Sequence, residues 1–361
     1  MKRILTSALG LGSLLILFGV PGVHAADAPP AYTLQFLGEG SVVGINNRTM
    51  VVGFRTHPST GVQTPLVSVS GAPWSVLPTP AGASAAFPTD LNDAGVVVGV
   101  ATLPGGRRAV RWIPSDAGYS VELLPLLPGE LASYATGINN LGEIVGARAG
   151  ILGTPFGFGW FYSDAGGLVG LDAAYGWFAT PDGINDGGVI LAGTQTFDTR
   201  TGTLTDVGLS GPTQYNPIGG VDINAAGQIV GAASLRSTSL NVVSVFKYQP
   251  GDGWTFLSGS SRYTVANDIN NLGDVGWGEL GAGISFVGLG NYALGSLLDP
   301  ATAAAGWVIT GNGCLLNDLR EVATVARNSV TGQSGAVVLL PAGTVAPPDA
   351  PTNLFAAPHP A

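Results

Sequence analysis

The sequence predicts an all-β fold: a seven-bladed β-propeller of four-stranded antiparallel blades, its ring closed by pairing of the N- and C-terminal strands. Three observations predict it. An Asn preceded by Ile or Leu recurs at Asn46, Asn92, Asn139, Asn185, Asn224, Asn270 and Asn317, spaced by 46, 47, 46, 39, 46 and 47 residues. Each period holds about four short β-prone segments separated by Gly, Pro and Ser, the composition of a propeller blade. The two ends of the chain fall at complementary points of the repeat, so that together they complete one blade.

Taken in chain order, residues 1–25 read as a secretory signal peptide. Met1-Lys2-Arg3 precedes an apolar run from Leu9 to Val20, and Val23-His24-Ala25 supplies the small residues of a cleavage site. The run is shorter than the ~20 residues that span a bilayer, which favours cleavage over anchoring. Each repeat then carries a hairpin. The residue before the Asn (Ile45, Leu91, Ile138, Ile184, Ile223, Ile269, Leu316) and the fifth after it (Val51, Val97, Ile144, Ile190, Ile229, Val275, Val322) are aliphatic. Between them lies turn chemistry such as Asn139-Asn140-Leu141-Gly142. Asn can bond its own backbone two residues on, and Gly supplies positive φ without steric cost. Two further strand series follow. One runs 64–69, 109–114, 157–163, 194–199, 243–250, 284–290 and 335–341; the other runs 32–38, 74–79, 119–125, 167–173, 203–209, 254–259 and 295–300. The short 39-residue repeat replaces a longer loop with the tight turn Thr199-Arg200-Thr201-Gly202.

The chain opens in the second of these series, at Tyr32-Thr33-Leu34-Gln35-Phe36-Leu37, and closes in the first, at Gly335-Ala336-Val337-Val338-Leu339-Leu340. Pairing them gives whole blades and removes exposed sheet edges. The domain therefore spans 32–341, and residues 342–361, rich in Pro and Ala, read as a disordered tail.

The phrases Gly137-Ile138-Asn139-Asn140-Leu141-Gly142-Glu143-Ile144-Val145-Gly146 and Asp222-Ile223-Asn224-Ala225-Ala226-Gly227-Gln228-Ile229-Val230-Gly231 resemble the bacterial extracellular HAF repeat. The resemblance spans nearly the whole of 32–341 and implies an exported, propeller-like protein with no established reaction. The chain departs from the family at its eponymous His-Ala-Phe triplet, for which Arg108-Ala109-Val110 is the nearest approach. Its seventh copy also replaces two Gly positions with Arg320 and Thr324.

Composition excludes several functions. The formal net charge is −9, with only 10% of residues charged, and Arg107, Arg108 and Arg111 form the one local basic cluster. That is no footprint for nucleic acid. After loss of the signal segment no membrane span is expected, and a secreted, periplasmic or cell-surface location follows. An outer-membrane barrel would need strands of ~10 residues with an outward apolar band; the predicted strands are mostly shorter. Only His57 lies within the repeat domain, which argues against a His-ligated metal. Cys314, the single cysteine, holds a mixed repeat position and reads as a half-buried strand residue. No cofactor is expected. Acidic residues do gather at the hairpins (Asp93, Asp186 and Asp318; Glu143, Asp274 and Glu321), but one or two per turn fall short of a calcium loop, and they read as turn caps.

Aromatic residues are the remaining handle for a ligand. Trp112, Trp160, Trp74 and Trp254 follow the repeat and read as packing. Tyr175, Trp177 and Phe178, in the connection to the fourth hairpin, and Trp277, which replaces a repeat Gly, break it. Such departures are where function concentrates, so these four are the candidate ligand-binding residues. The expected function is an exported binding or interaction module for a glycan or a cell-surface protein. The alternative is a polysaccharide hydrolase or lyase with carboxylates at the channel mouth.

Overall fold

The computed structural model describes residues 28–148, 158–208, 215–235, 243–257, 264–279, 281–311 and 313–343, and it is a seven-bladed β-propeller. The segment read as a signal peptide lies outside the described residues, as does all but the start of the tail read over 342–361. Among the described residues no helix is long and apolar enough to cross a membrane.

In blade 1 the strands run, from the channel outward, Ser41–Ile45, Val51–Thr56, Gln63–Ser68 and Ser75–Val76, each antiparallel to the next. The innermost strands of blades 2 to 6 are Ala85–Leu91, Ser133–Ile138, Gly183–Ile184, Tyr215–Ile223 and Thr264–Ile269. The aliphatic pair flanking each hairpin lies directly opposite across the ladder, from Ile45 with Val51 round to Leu316 with Val322. Apolar side chains fill the space between neighbouring blades. Val52, Val67 and Leu77 of blade 1, for example, pack with Ala86, Leu91, Val97 and Trp112 of blade 2.

Blade 7 is assembled from both ends of the chain. Tyr32–Gly38 pairs antiparallel with Ser334–Pro341, which continues to Val322–Asn328. Tyr32 and Leu37 lie at the same seam, 0% and 1% exposed. The predicted closure and its register are therefore those of the structure.

Two predicted strands differ, and one inner strand is interrupted. The strand expected over 295–300 lies earlier, at Gly290–Ala293, and gives way to a 3-10 turn at Leu294–Leu297 and a helix at Pro300–Ala304. Pro300 lacks the N–H a ladder requires but suits the first turn of a helix, where Asp299 accepts from the Ala301 and Thr302 amides. The strand expected over 167–173 stops at Gly170, and Leu171–Tyr175 forms a short helix that buries Leu171. The inner strand of blade 7 is split into Trp307–Ile309 and Leu315–Leu316, both paired with Val322–Asn328.

Candidate functional site

The seven repeat asparagines meet at one end of the central channel, each at most 5% exposed. Their side-chain oxygens stay local. Asn46 Oδ1 accepts from the backbone amides of Arg48 and Met50, and Asn139 Oδ1 from those of Leu141 and Glu143. Their amide groups look outward to the next blade. Asn46 Nδ2 donates to the Asn92 carbonyl, Asn92 to that of Asn139, and so on round to Asn317, which donates back to Asn46; all seven bonds measure 2.8–3.0 Å. One residue type thus closes its own turn and ties that turn to its neighbour. The Asn-to-Asn belt explains why this position varies so little between copies.

A second belt lies one residue further on, at Asn47, Asp93, Asn140, Asp186, Ala225, Asn271 and Asp318. At six of the seven positions the backbone N–H donates to the side-chain oxygen of the next blade: Asn47 to Asp93, Asp93 to Asn140, Asn140 to Asp186, Ala225 to Asn271, Asn271 to Asp318 and Asp318 to Asn47, at 2.7–2.8 Å. The side chains also bond one another. Asn47 Nδ2 donates to both Asp93 and Asp318, and Asn140 Nδ2 to both Asp93 and Asp186. Donors and acceptors alternate, and in a ring of odd number strict alternation must fail once. It fails at Ala225, whose methyl group neither donates nor accepts. Asp93, Asp186 and Asp318 are therefore inter-blade acceptors, where turn capping was expected.

Deeper in the channel, two residues before the repeat Asn, stand Asp90, Asp222 and Asp268, where Gly44, Gly137 and Gly183 stand in blades 1, 3 and 4. Most of the inner strands carry a β-bulge just before this position: the preceding residue (Val43, Thr89, Thr136, Val221, Asn267) is left out of the ladder, while Asp90, Asp222 and Asp268 stay paired with Val98, Val230 and Gly276. Each carboxylate spans two blades. Asp90 accepts from the Leu91 and Ile138 amides, Asp222 from Ile223 and Ile269, and Asp268 from Leu316 at 2.7 Å. Burial pushes the Asp90 carboxyl up to about 7, with the Asp222 charge adding to the effect and the two backbone amides opposing it. Burial likewise holds Asp268 well above the usual carboxylate range, reinforced by the charge of Asp222 and a hydrogen bond shared with it. The belt borders a polar cavity of about 180 Å³, and the bulged inner strands border a second of about 210 Å³. Sequence reasoning passed over Asp90, Asp222, Asp268 and the Asn members of the second belt. The alternation of Asn and Asp directly after the repeat Asn was the available signal.

The carboxylates four residues past the repeat Asn serve the blade seam. Asp274, 0% exposed, accepts from Arg320 Nε at 2.8 Å and from the Val287 amide, and Glu321 accepts from Thr49 Oγ1 and Asn317 Nδ2. Thr49 and Arg320 occupy the turn position that is Gly in the other five copies, with φ of 55° and 60°. This left-handed backbone costs a side-chain-bearing residue ~1–2 kcal/mol. Both side chains use it to reach the preceding blade, and the Arg320 carbonyl also receives the Tyr32 hydroxyl at 2.8 Å.

The aromatic candidates lie elsewhere. Trp177 is 3% exposed, stacks on Phe197 with ring centroids 5.4 Å apart, and donates its indole N–H to Gln195. Tyr175 leans on the same Phe197, while Phe178, 71% exposed, meets Phe158 edge-on. Trp277 has a packing explanation. In blade 3 Gly146 lies opposite Trp160, whereas in blade 6 Trp277 lies opposite Gly283; the large and small partners have changed strands. A Cβ on Gly146 would come within 2.2 Å of the Trp160 ring, and one on Gly283 within 2.2 Å of Trp277. None of the four lines either channel cavity.

Cys314 is fully buried, where a half-buried position was expected, and burial raises its thiol pKa. His57 sits in an exposed loop and caps it, accepting from the Ser59 and Thr60 amides. Arg111 is engaged by Glu122 and Asp164, and Arg108 donates to the Leu124 carbonyl. Among the described residues no group of three or more His, Cys, Asp or Glu is placed to hold a metal ion.

Fold and channel together define a seven-bladed β-propeller with a polar inner face, and comparison with known proteins narrows this no further. No protein-family model matches the sequence, and no curated protein does. Among solved structures the chain is similar to puromycin hydrolase, with 16% identity over 86% of this chain and a TM-score of 0.49; it spans 56% of that protein's length. It is also similar to an ulvan lyase, a polysaccharide lyase, with 11% identity over 85% of this chain and 95% of the other and a TM-score of 0.42.

Proposed function

We propose that the chain is an exported binding module that takes a polar ligand, a glycan or the side chains of a cell-surface protein, at the channel mouth formed by the second belt. One observation carries this reading: a cavity lined by amide and carboxylate groups fixed by inter-blade hydrogen bonds, with Asn47, Asp93, Asn140, Asn271 and Asp318 each bonded to two neighbouring blades. Such groups are ordered before a ligand arrives, so binding loses little conformational freedom. The apolar run at 9–20 and the resemblance to the extracellular HAF repeat support export. Screening the chain on a glycan array and against intact bacterial cells tests the proposal. Binding is expected to fall at least tenfold in Asn47→Ala and Asn271→Ala variants that remain folded. Undiminished binding by both variants would remove the site from the belt.

A second reading rests on the three channel aspartates. Asp90 and Asp268, with raised pKa values, could serve a hydrolase or lyase as proton donors. Their oxygens are held by backbone amides, which favours a fixed structural role and leaves this reading second. Turnover of a polysaccharide panel that disappears in Asp268→Asn would reverse the order.

A further inference from the structure

The interruption at Ala225 leaves half of a recognition pair open. Around the second belt, two aspartates are each gripped by the carboxamide of the following blade. Asp318 N–H donates to Asn47 Oδ1 at 2.8 Å while Asn47 Nδ2 donates to Asp318 Oδ2 at 3.0 Å. Asp93 N–H donates to Asn140 Oδ1 at 2.7 Å while Asn140 Nδ2 donates to Asp93 Oδ2 at 3.1 Å. Asp186 presents the same donor and acceptor, but the following blade offers only the methyl group of Ala225. Among the described residues its backbone N–H has no acceptor. Its Oδ2 receives one bond, from Asn140 at 3.0 Å, whereas Asp93 Oδ2 and Asp318 Oδ2 each receive two. On the far side of the notch Asn271 Nδ2 donates to Asp318 and has a second hydrogen to give.

Neither of the belt's own residue types would satisfy both neighbours at 225. An Asp there would set its charge against the Asp186 carboxylate, and an Asn would turn its amide hydrogens toward those of Asn271. A ligand is not bound by that geometry, because it can place one oxygen between the Asp186 and Asn271 donors. We propose that the notch at Ala225 binds a primary carboxamide, as an Asn or Gln side chain of a peptide presents it. The carboxamide oxygen accepts from the Asp186 N–H and the Asn271 amide, and its NH₂ donates to Asp186 Oδ2. The chain's own Asn47–Asp318 and Asn140–Asp93 pairs are the templates. A carboxylate is disfavoured by the Asp186 charge. An N-methyl amide is disfavoured because its remaining N–H points away from its oxygen. The 180 Å³ cavity that contains Asp186, Ala225 and Asn271 has room for the group. This rests on the binding reading above and names the chemistry recognised at that mouth.

The test follows the Asp186 backbone amide resonance in the full chain during titration with acetamide, acetate and N-methylacetamide. A fragment of this size binds at roughly millimolar strength or weaker. Acetamide is expected to shift the resonance saturably, and the other two compounds at least tenfold less at equal concentration. In Ala225→Asn the tethered carboxamide should occupy the notch and abolish the response. The three-compound comparison needs no variant, so it stands even if Ala225→Asn fails to fold. No saturable shift with acetamide, or an equal response to all three compounds, overturns the carboxamide assignment. Glycan or cell binding that persisted in that case would leave the binding module itself intact, so the two failures are distinguishable.

Discussion

The belts and the outer rim of this propeller come from the same seven repeats, yet they obey different rules. At the belts one Asn holds the same place seven times, 2–5% exposed, because its oxygen and its amide answer to two different blades. At the rim the fourth strand shrinks to Ser75–Val76 in blade 1, is wholly exposed at Thr203–Asp206 in blade 4, and in blade 6 gives way to a 3-10 turn and a helix. A rim strand has a partner on one side only, so its sequence drifts as long as the inter-blade apolar layer stays covered. Constraint therefore scales with the number of blades a side chain must satisfy.

Four perturbations sharpen that contrast, from the largest effect down. Deleting 32–38 breaks the rule at its exception, the one outer strand that also closes the ring. It removes a ladder of six residue pairs and the buried Tyr32 and Leu37. Bonds at ~1 kcal/mol and side chains at ~1.5–3 kcal/mol each rival the ~5–15 kcal/mol stability of a domain. Chemical denaturation should show an unfolded or insoluble product, and a variant with unchanged melting would contradict the role of the seam.

At the same seam, Arg320→Gly relieves a strained turn but strands Asp274, which is 0% exposed. The uncompensated charge should dominate, with a loss of about 3–5 kcal/mol in urea denaturation. A stabilised Arg320→Gly would show that backbone strain outweighs the ion pair.

The channel aspartates predict an unusual dependence on pH. Asp90 has a folded pKa of about 7 against 3.8 for the ordinary group. The folded state then holds its proton more tightly, so the contribution is fully present below pH ~4 and is lost as pH rises through about 7. The limit is about 4 kcal/mol, from ~1.36 kcal/mol per pKa unit. Asp90→Asn should flatten the loss of stability between pH 4 and pH 8, and an unaltered slope would place the titrating group elsewhere.

Smaller still is the direct belt-against-rim comparison. Asn92→Ala frees the Val96 amide and the Asn139 carbonyl, both otherwise satisfied by that side chain. About 2–4 kcal/mol should be lost. Val76→Ala, at a site 61% exposed, should stay within about 0.5 kcal/mol. Equal losses would erase the distinction between the two regions.

Much of this was legible before any coordinates. The spacing of Asn46 to Asn317 carries the blade number, and the strands at Tyr32 and Gly335 carry the closure. What could not be read was who meets whom across blades. Asp93 looks like a cap of its own turn, because sequence displays near neighbours and conceals a partner 46 or 47 residues away. Trp277 looks like a functional intrusion until Gly283 is seen opposite it. The helix at Pro300–Ala304 breaks the repeat's strand series because Pro300 cannot join a ladder.

Native-state amide hydrogen exchange tests the central claim, that inter-blade belts fix this ring, most directly. The N–H groups of Asn47, Asp93, Asn140, Asn271 and Asp318 should exchange only with global opening, and those of the rim strands far sooner. Asp186, alone facing the Ala225 notch, should exchange faster than its counterparts despite its matching place in the turn. Rim amides as protected as the belt, or an Asp186 as slow as Asp318, would contradict the account.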